Sequence, residues 1–254
     1  MKYLIVGDVH NHLYMFDDVK KLDNKYNFDR IIFLGDYVDD WETDNLDSWR
    51  TLDIVINLKN SNPNKYTFLI GNHELSYLGY PCSGHRKKNE QQITQKLTDN
   101  INCFDLYTFV EFQNKHFCCS HAGFTYEYDL DVLNGKVKIG SRGEPILEVL
   151  PYLNMISYHR GGIHDYSSFV WADKKELEQT GRGKEIITPY QIVGHTPVHE
   201  ITIEQHLSKY VDADNIFIFC DTHSTYTNGF PIGDQSYLIL DDDKLETIKH
   251  KNIK

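Results

Sequence analysis

The chain has 254 residues, of which 40% are apolar, so it is long enough to bury a substantial core. Its formal net charge of -11 disfavours nonspecific attraction to long nucleic acid or to an anionic membrane, because both need Lys and Arg to neutralise phosphates. Five cysteines (Cys82, Cys103, Cys118, Cys119 and Cys220), odd in number and without C-x-x-C spacing, argue against a disulfide framework and a structural zinc knot. They read as reduced thiols of a cytoplasmic protein. The opening apolar patch is too short for a signal segment, and no stretch approaches the ~20 apolar residues of a membrane span. A single domain over residues 1–254 is expected.

In chain order, "YLIV" (3–6), "IIFL" (31–34) and "YTFLI" (66–70) are short, β-branched or aromatic, and each leads into a glycine, as buried parallel strands do. Between them, "YMFDDVKKLDNKY" and "LDSWRTLDIVINLKN" repeat apolar residues at three- and four-residue spacing and predict amphipathic helices. Residues 126–168 have a turn-rich start, "NGKVKIGSRGEP", continue as an apolar helical pattern, "ILEVLPYLNMI", and read as an insertion over the site. Further strands are expected at "KHFCCS" (115–120), "YQIV" (190–193), "IFIFC" (216–220) and "SYLIL" (236–240). With little helix between the last three, antiparallel pairing is expected there. "DDDKLETIKHKNIK" reads as a solvated tail.

Polar residues cluster where these strands end. Asp8 and His10 follow the first in "GDVH", Asp36 and Asp39 the second in "GDYVD", and Asn72, His73 and Glu74 the third in "GNHE". His121 in "CSHAG" and His195 in "VGHTP" repeat the placement. Ligands in open α/β sheets bind outside the carboxyl ends of strands, so these groups converge on one crevice. Carboxylates, an amide oxygen and imidazoles without thiolate suit Mn, Fe or Zn. A carboxylate such as Asp36 can bridge two cations, and a two-metal site stabilises both the attacking and the leaving oxygen in phosphoryl transfer. A bound cation also explains why Asp8 and His10, costly to desolvate, stand directly behind a buried strand.

"GDVH", "GDYVD", "GNHE", "SHAG" and "VGHTP", in this order over residues 7–197, resemble the signature blocks of the calcineurin-like metallophosphoesterases, nearest to the serine/threonine protein phosphatases and their bacterial or phage relatives. The resemblance implies an α/β four-layer αββα sandwich, two mixed β-sheets flanked by helices, with two metal ions at the strand ends. It implies that Asp8, His10 and Asp36 hold one metal and that Asp36, Asn72, His121 and His195 hold the other. It further implies that His73, oriented by Asp39, protonates the leaving oxygen, and a carboxylate beside an imidazole does favour the protonated ring.

The chain departs from the family's usual "GDxHG" and "GDxVDRG" at Asn11, which replaces a glycine, and at Asp40-Trp41, which replace Arg-Gly. The missing arginine grips phosphate in the family, whereas Asp40 repels it. Arg182 in "TGRGKE" is the leading substitute, ahead of Arg160 and Arg86. His12, His85, His159 and His164 read as solvent-facing, Glu74 as supporting the ligands, Trp41, Trp49 and Trp171 as packing residues, and Asp221 as structural. The sequence therefore predicts a two-metal phosphomonoesterase, with manganese the expected metal, acting on a phosphorylated protein or a small phosphoester. The alternatives are a nucleotide-directed hydrolase (diadenosine tetraphosphatase or phosphodiesterase), stacking a base on aromatics of the tyrosine-rich insertion, and a metal-binding module without catalysis. An intact His73 and Asp39 speak against the last.

Overall fold

In a computed structural model, residues 1–41, 45–80, 82, 90–136, 146–180, 188–207, 214–242 and 244–254 are described. The first half alternates strand and helix: β1 (Lys2–Val6), α1 (Tyr14–Tyr26), β2 (Arg30–Phe33), α2 (Asn45–Ser61) and β3 (Tyr66–Phe68), then the short helix α3 (Asn72–Tyr77) and α4 (Glu90–Asp99). The next segments are β4 (Tyr107–Phe112), β5 (Lys115–Ser120), α5 (Tyr126–Leu133), α6 (Ile146–Leu153), α7 (Lys174–Thr180) and β6 (Tyr190–Val193). The chain then runs through β7 (Thr202–Leu207), β8 (Asp214–Phe219), β9 (Ser236–Asp241) and β10 (Lys244–Lys249).

The strands form two five-stranded sheets, ordered β10-β9-β1-β2-β3 and β4-β5-β6-β8-β7. Alternation along each strand explains the layering, because successive side chains point to opposite faces. In β1, Tyr3 and Ile5 join β4, β5, β6 and β8 residues such as Val110, Phe117, Ile192 and Ile218 in a core between the sheets. Leu4 and Val6 face the other way, into a core with Met15, Val19 and Leu22 of α1 and Leu52 and Val55 of α2. On the outer face of the second sheet, Val193, Phe217 and Phe219 pack with Leu177 of α7. The result is helix, sheet, sheet, helix, two mixed sheets as the sequence implied.

Three expectations change. Residues 244–249 are a strand, not a solvated tail: β10 pairs antiparallel with β9 from Lys244↔Asp241 to Lys249↔Ser236. Its Lys and Glu density is how exposed edge strands discourage further pairing, and it disguised the strand. The strands β5, β6 and β8 are mutually parallel. Antiparallel partners come from β4 and β7, which the pattern reading passed over, and from β9, which crosses to the first sheet beside β1. β4 alternates buried and exposed residues, and it reaches β5 through Gln113 and Asn114, both in the left-handed region (φ 51° and 57°) that a tight hairpin turn requires. No helix among the described residues is long and apolar enough to cross a membrane.

Candidate metal centre

Five parallel strand ends deliver the motif residues to one edge of the sandwich. β1 leads into Gly7-Asp8, β2 into Gly35-Asp36, β3 into Gly71-Asn72, β5 into His121 and β6 into Gly194-His195. The chain turns so sharply there that His10, Asn11, Asp36, Asp39 and His195 all adopt positive φ, between 42° and 63°. Non-glycine residues held in this region store strain, and such strain concentrates at functional sites. Asn11, the departure from glycine, is explained by its φ of 62°: asparagine tolerates the left-handed region better than other side chains. Two glycines are required for a different reason. A Cβ on Gly71 would stand 2.2 Å from Asp36 Oδ1, and one on Gly194 would stand 2.2 Å from Asp8 Oδ1.

The candidate ligand atoms gather around Asp36. His10, Asp36 and His73 form one group whose donor atoms all lie within 4.8 Å of one another, and Asp36, His121 and His195 form a second. In the second group, His121 Nε2 is 2.9 Å from Asn72 Oδ1, 3.4 Å from Asp36 Oδ2 and 3.2 Å from His195 Nδ1. His121 Nδ1 donates to the Leu34 carbonyl at 2.8 Å, which leaves Nε2 as the nitrogen with a lone pair. His10 is fixed the same way: Nδ1 donates to the Asp39 carbonyl at 2.8 Å and Nε2 faces Asp36 at 3.7 Å. Acceptor atoms facing one another this closely require positive charge between them. A proton supplies it in the metal-free protein, where Asp36 overcomes the burial penalty and pushes the His121 pKa up to about 9. Together with the buried, unpartnered Nε2 of His195, a set of nitrogen and oxygen donors without sulfur fits borderline divalent cations.

Asp8 lies outside both groups. Its two oxygens accept the His195 backbone N–H at 3.0 and 3.1 Å, and burial followed by the neighbouring Asp221 charge raises its pKa well above the usual range. Asp36 behaves oppositely: burial alone would raise it, but His121, His73 and His10 hold it well below an ordinary carboxylate. His73 Nδ1 sits 3.1 Å from Asp39 Oδ2, and Tyr77 Oη donates to Asp39 Oδ1 at 2.6 Å. Burial opposes protonation of His73, yet the Asp36 charge and the Asp39 hydrogen bond outweigh it and keep the ring protonated well above its usual range. Glu74 links the turns that carry these side chains. It accepts the backbone N–H groups of Asp36, Tyr37 and Gly71 at 2.7 to 3.0 Å, tying the turn after β2 to the turn after β3.

Asp221, read from the sequence as structural, is a further buried acid beside Asp8. Asp221 follows β8, accepts Ser224 N–H and Oγ at 3.1 and 2.8 Å, and acts electrostatically on Asp8 and His10. Because β8 is parallel to β6, the strand-end rule that found His195 also leads to Asp221.

Above the cluster lies a pocket of about 520 Å3 walled by His10, Asp36, Asn72, His73 and His195, and by Asp40, Trp41, Arg160 and Trp171. Arg182 and Arg86 fall outside the described residues. Arg160 is the arginine or lysine that the described residues place in the wall. It arrives on the 156–162 turn of the expected insertion, braced by Thr196 Oγ1 at 2.9 Å and Asp173 Oδ2 at 3.0 Å. Burial first, then the Arg160 charge, hold the His195 pKa well below its usual value. Trp171 packs edge-on against His195 as a packing residue would, whereas Trp41 is 45% exposed and lines the pocket. His12 faces Asp40 at 3.6 Å rather than solvent alone.

Residues 1–234 match the profile of the calcineurin-like phosphoesterases. Among solved structures, the chain resembles a cold-active protein-tyrosine phosphatase of a psychrophilic Shewanella, at 14% identity over 99% of this chain and 78% of that one, with a TM-score of 0.55. It also resembles a protein serine/threonine phosphatase from Saccharomyces cerevisiae with similarity to human phosphatase PP5, at 17% identity over 98% and 80%, with a TM-score of 0.50. At these identities the structural likeness speaks to the fold. The profile spans every strand-end motif that builds the candidate ligand cluster, and the chain belongs to the calcineurin-like phosphoesterase family, hydrolases of phosphoesters.

Proposed function

We propose that this chain is a two-metal phosphomonoesterase. The observation that carries the reading is the Asp36 carboxylate shared by two groups of ligand atoms, under a pocket whose wall also holds the Asp39-backed His73. Asp8, His10 and Asp36 would hold one cation and Asp36, Asn72, His121 and His195 the other, with manganese first choice and iron or zinc the alternatives. Cations bound there supply Lewis-acid neutralisation of phosphoryl oxygens and acidify attacking water. The chain's own residues do the rest. Arg160 offers the phosphate paired N–H donors, the tasks assigned in the sequence to Arg182. His73, kept protonated by Asp36 and Asp39, stands in the pocket wall to give its proton to the departing alkoxide. Five free thiols support a reducing, cytoplasmic setting.

The test is hydrolysis of p-nitrophenyl phosphate, its bis ester and diadenosine tetraphosphate by protein stripped of metal and resupplied with manganese. Manganese-dependent turnover of the monoester above the other two is the expected result; preference for the diester or the dinucleotide would replace this reading with the nucleotide-directed one. His73→Ala should lower kcat at least a hundredfold with metal content unchanged. Because His73 also lies in a ligand group, loss of metal in that variant would reassign it from acid to ligand.

A further inference from the structure

The pocket wall carries a charge that phosphate chemistry does not use. Asp36 belongs to the metal cluster, and Asp39 is committed to His73 and Tyr77. Asp40 has neither assignment. Its side chain is only 7% exposed, yet it lines the same pocket as His73 and Arg160. It is held in place by Thr225 Oγ1 at 2.8 Å and by the Trp41 backbone N–H at 2.7 Å, with the His12 ring at 3.6 Å. Burial alone would raise this carboxyl, but the nearby His12 ring and the Thr225 hydroxyl keep it ionised, with a pKa of about 2.

A carboxylate fixed in a pocket wall by a hydroxyl and an amide is a site of negative potential. It repels a second phosphate or a carboxylate on the substrate and attracts a cation. The next residue adds a second feature of the same kind. Trp41 is 45% exposed and lines the pocket, and an indole face attracts ammonium and guanidinium groups, most strongly when they are partly desolvated. Thr225 extends the wall from the opposite end of the chain, where its bridge to Pro231 closes a small loop.

We propose that Asp40, Trp41 and Thr225 form a subsite for a positively charged group on the alcohol portion of the substrate, so that the preferred phosphomonoesters carry a cation near the phosphate. The inference rests on the phosphomonoesterase reading and deepens it. Two sources share this chemistry: a phosphorylated amino alcohol, and a phosphorylated side chain with a basic residue beside it.

Matched pairs separate them. Phosphocholine is compared with 3,3-dimethylbutyl phosphate, its uncharged isostere, and phosphoserine peptides are compared with Arg, Ala or Glu next to the phosphorylated residue. The cationic member of at least one pair should show roughly tenfold higher kcat/KM. Asp40→Asn should bring that ratio to about one and Asp40→Arg should invert it. If either variant fails to fold, Trp41→Leu carries the test, with the ratio reduced severalfold. Preference in the first pair alone assigns a small amino alcohol, and in the peptides alone a basic phosphoprotein segment. Equal rates within every wild-type pair would overturn the subsite and leave the phosphomonoesterase intact, whereas absence of manganese-dependent turnover on all of them would overturn the functional reading. In that event the subsite is judged in the metal-free protein, by quenching of tryptophan fluorescence on titration with tetramethylammonium. Binding that Asp40→Asn abolishes supports the subsite, and no binding ends it.

Discussion

Asp36 and the glycines around it concentrate the site's demands on single positions. Asp36→Asn keeps the size of the side chain but removes the charge that both ligand groups share. It should empty at least one metal position, and full occupancy by metal analysis would end the bridging assignment. Gly194→Ala should act by crowding an expected ligand rather than by removing one. Its methyl group would press on Asp8 Oδ1, which is pinned by the His195 N–H. Overpacking of this kind costs about 1–3 kcal/mol, so the melting temperature should fall by several degrees and metal affinity at least tenfold, read by calorimetric titration with manganese; unchanged affinity would show that Asp8 can move freely. At this scale the convergence of the candidate residues on one edge was legible. Asp8, His10, Asp36, Asn72, His121 and His195 are recognisable because a buried strand seldom ends on costly polar groups without cause. Arg160 was harder to rank, since its place in the wall depends on how the 156–162 turn folds back, which local pattern does not encode.

Secondary structure was legible where one periodicity ran alone. α1 occupies the residues its apolar spacing predicted, 14–26, with Met15, Phe16, Val19 and Leu22 buried. β4, β7 and β10 were not read, because strands at sheet edges take polar residues on the side that meets water, and β7 and β10 carry charge where a central strand would not. β10 still contributes to the cores: Leu245 packs against the core between the sheets and Ile248 against the core beneath the helices. Removing residues 243–254 would uncover the full hydrogen-bonding edge of β9, whose residues Ser236–Leu240 are buried. The shortened protein should melt at a lower temperature and self-associate, and sedimentation showing a stable monomer would contradict that role for β10.

For the molecule as a whole, acid sensitivity follows from His223, which belongs to neither group of candidate ligand atoms. It is fully buried beside Tyr14 and Tyr237, with Nδ1 3.2 Å from the Tyr14 hydroxyl. Burial, reinforced by the nearby His12, pushes its pKa down to about 3. An unfolded chain protonates this ring near 6.5, so between about pH 6.5 and 3 the unfolded state binds a proton that the folded state excludes. Stability from this residue is complete above that window and is lost as the pH falls through it, by about 2 kcal/mol at pH 5. Urea unfolding of metal-stripped wild type and His223→Gln at pH 7 and pH 5 checks this, since the variant should lose less than the wild type on acidification. Equal losses would place the acid sensitivity elsewhere. The order of the strands has a separate consequence. β1 pairs with β2 on one side and with β9 on the other, Ile5 meeting Leu238, while every strand of the second sheet is encoded between those partners. On the ribosome, all six expected metal ligands emerge before the strand that closes the first sheet. A nascent chain therefore holds the chemistry of the site while the β1 edge is still open, and loading of metal into a rigid centre must wait for the final strands to dock.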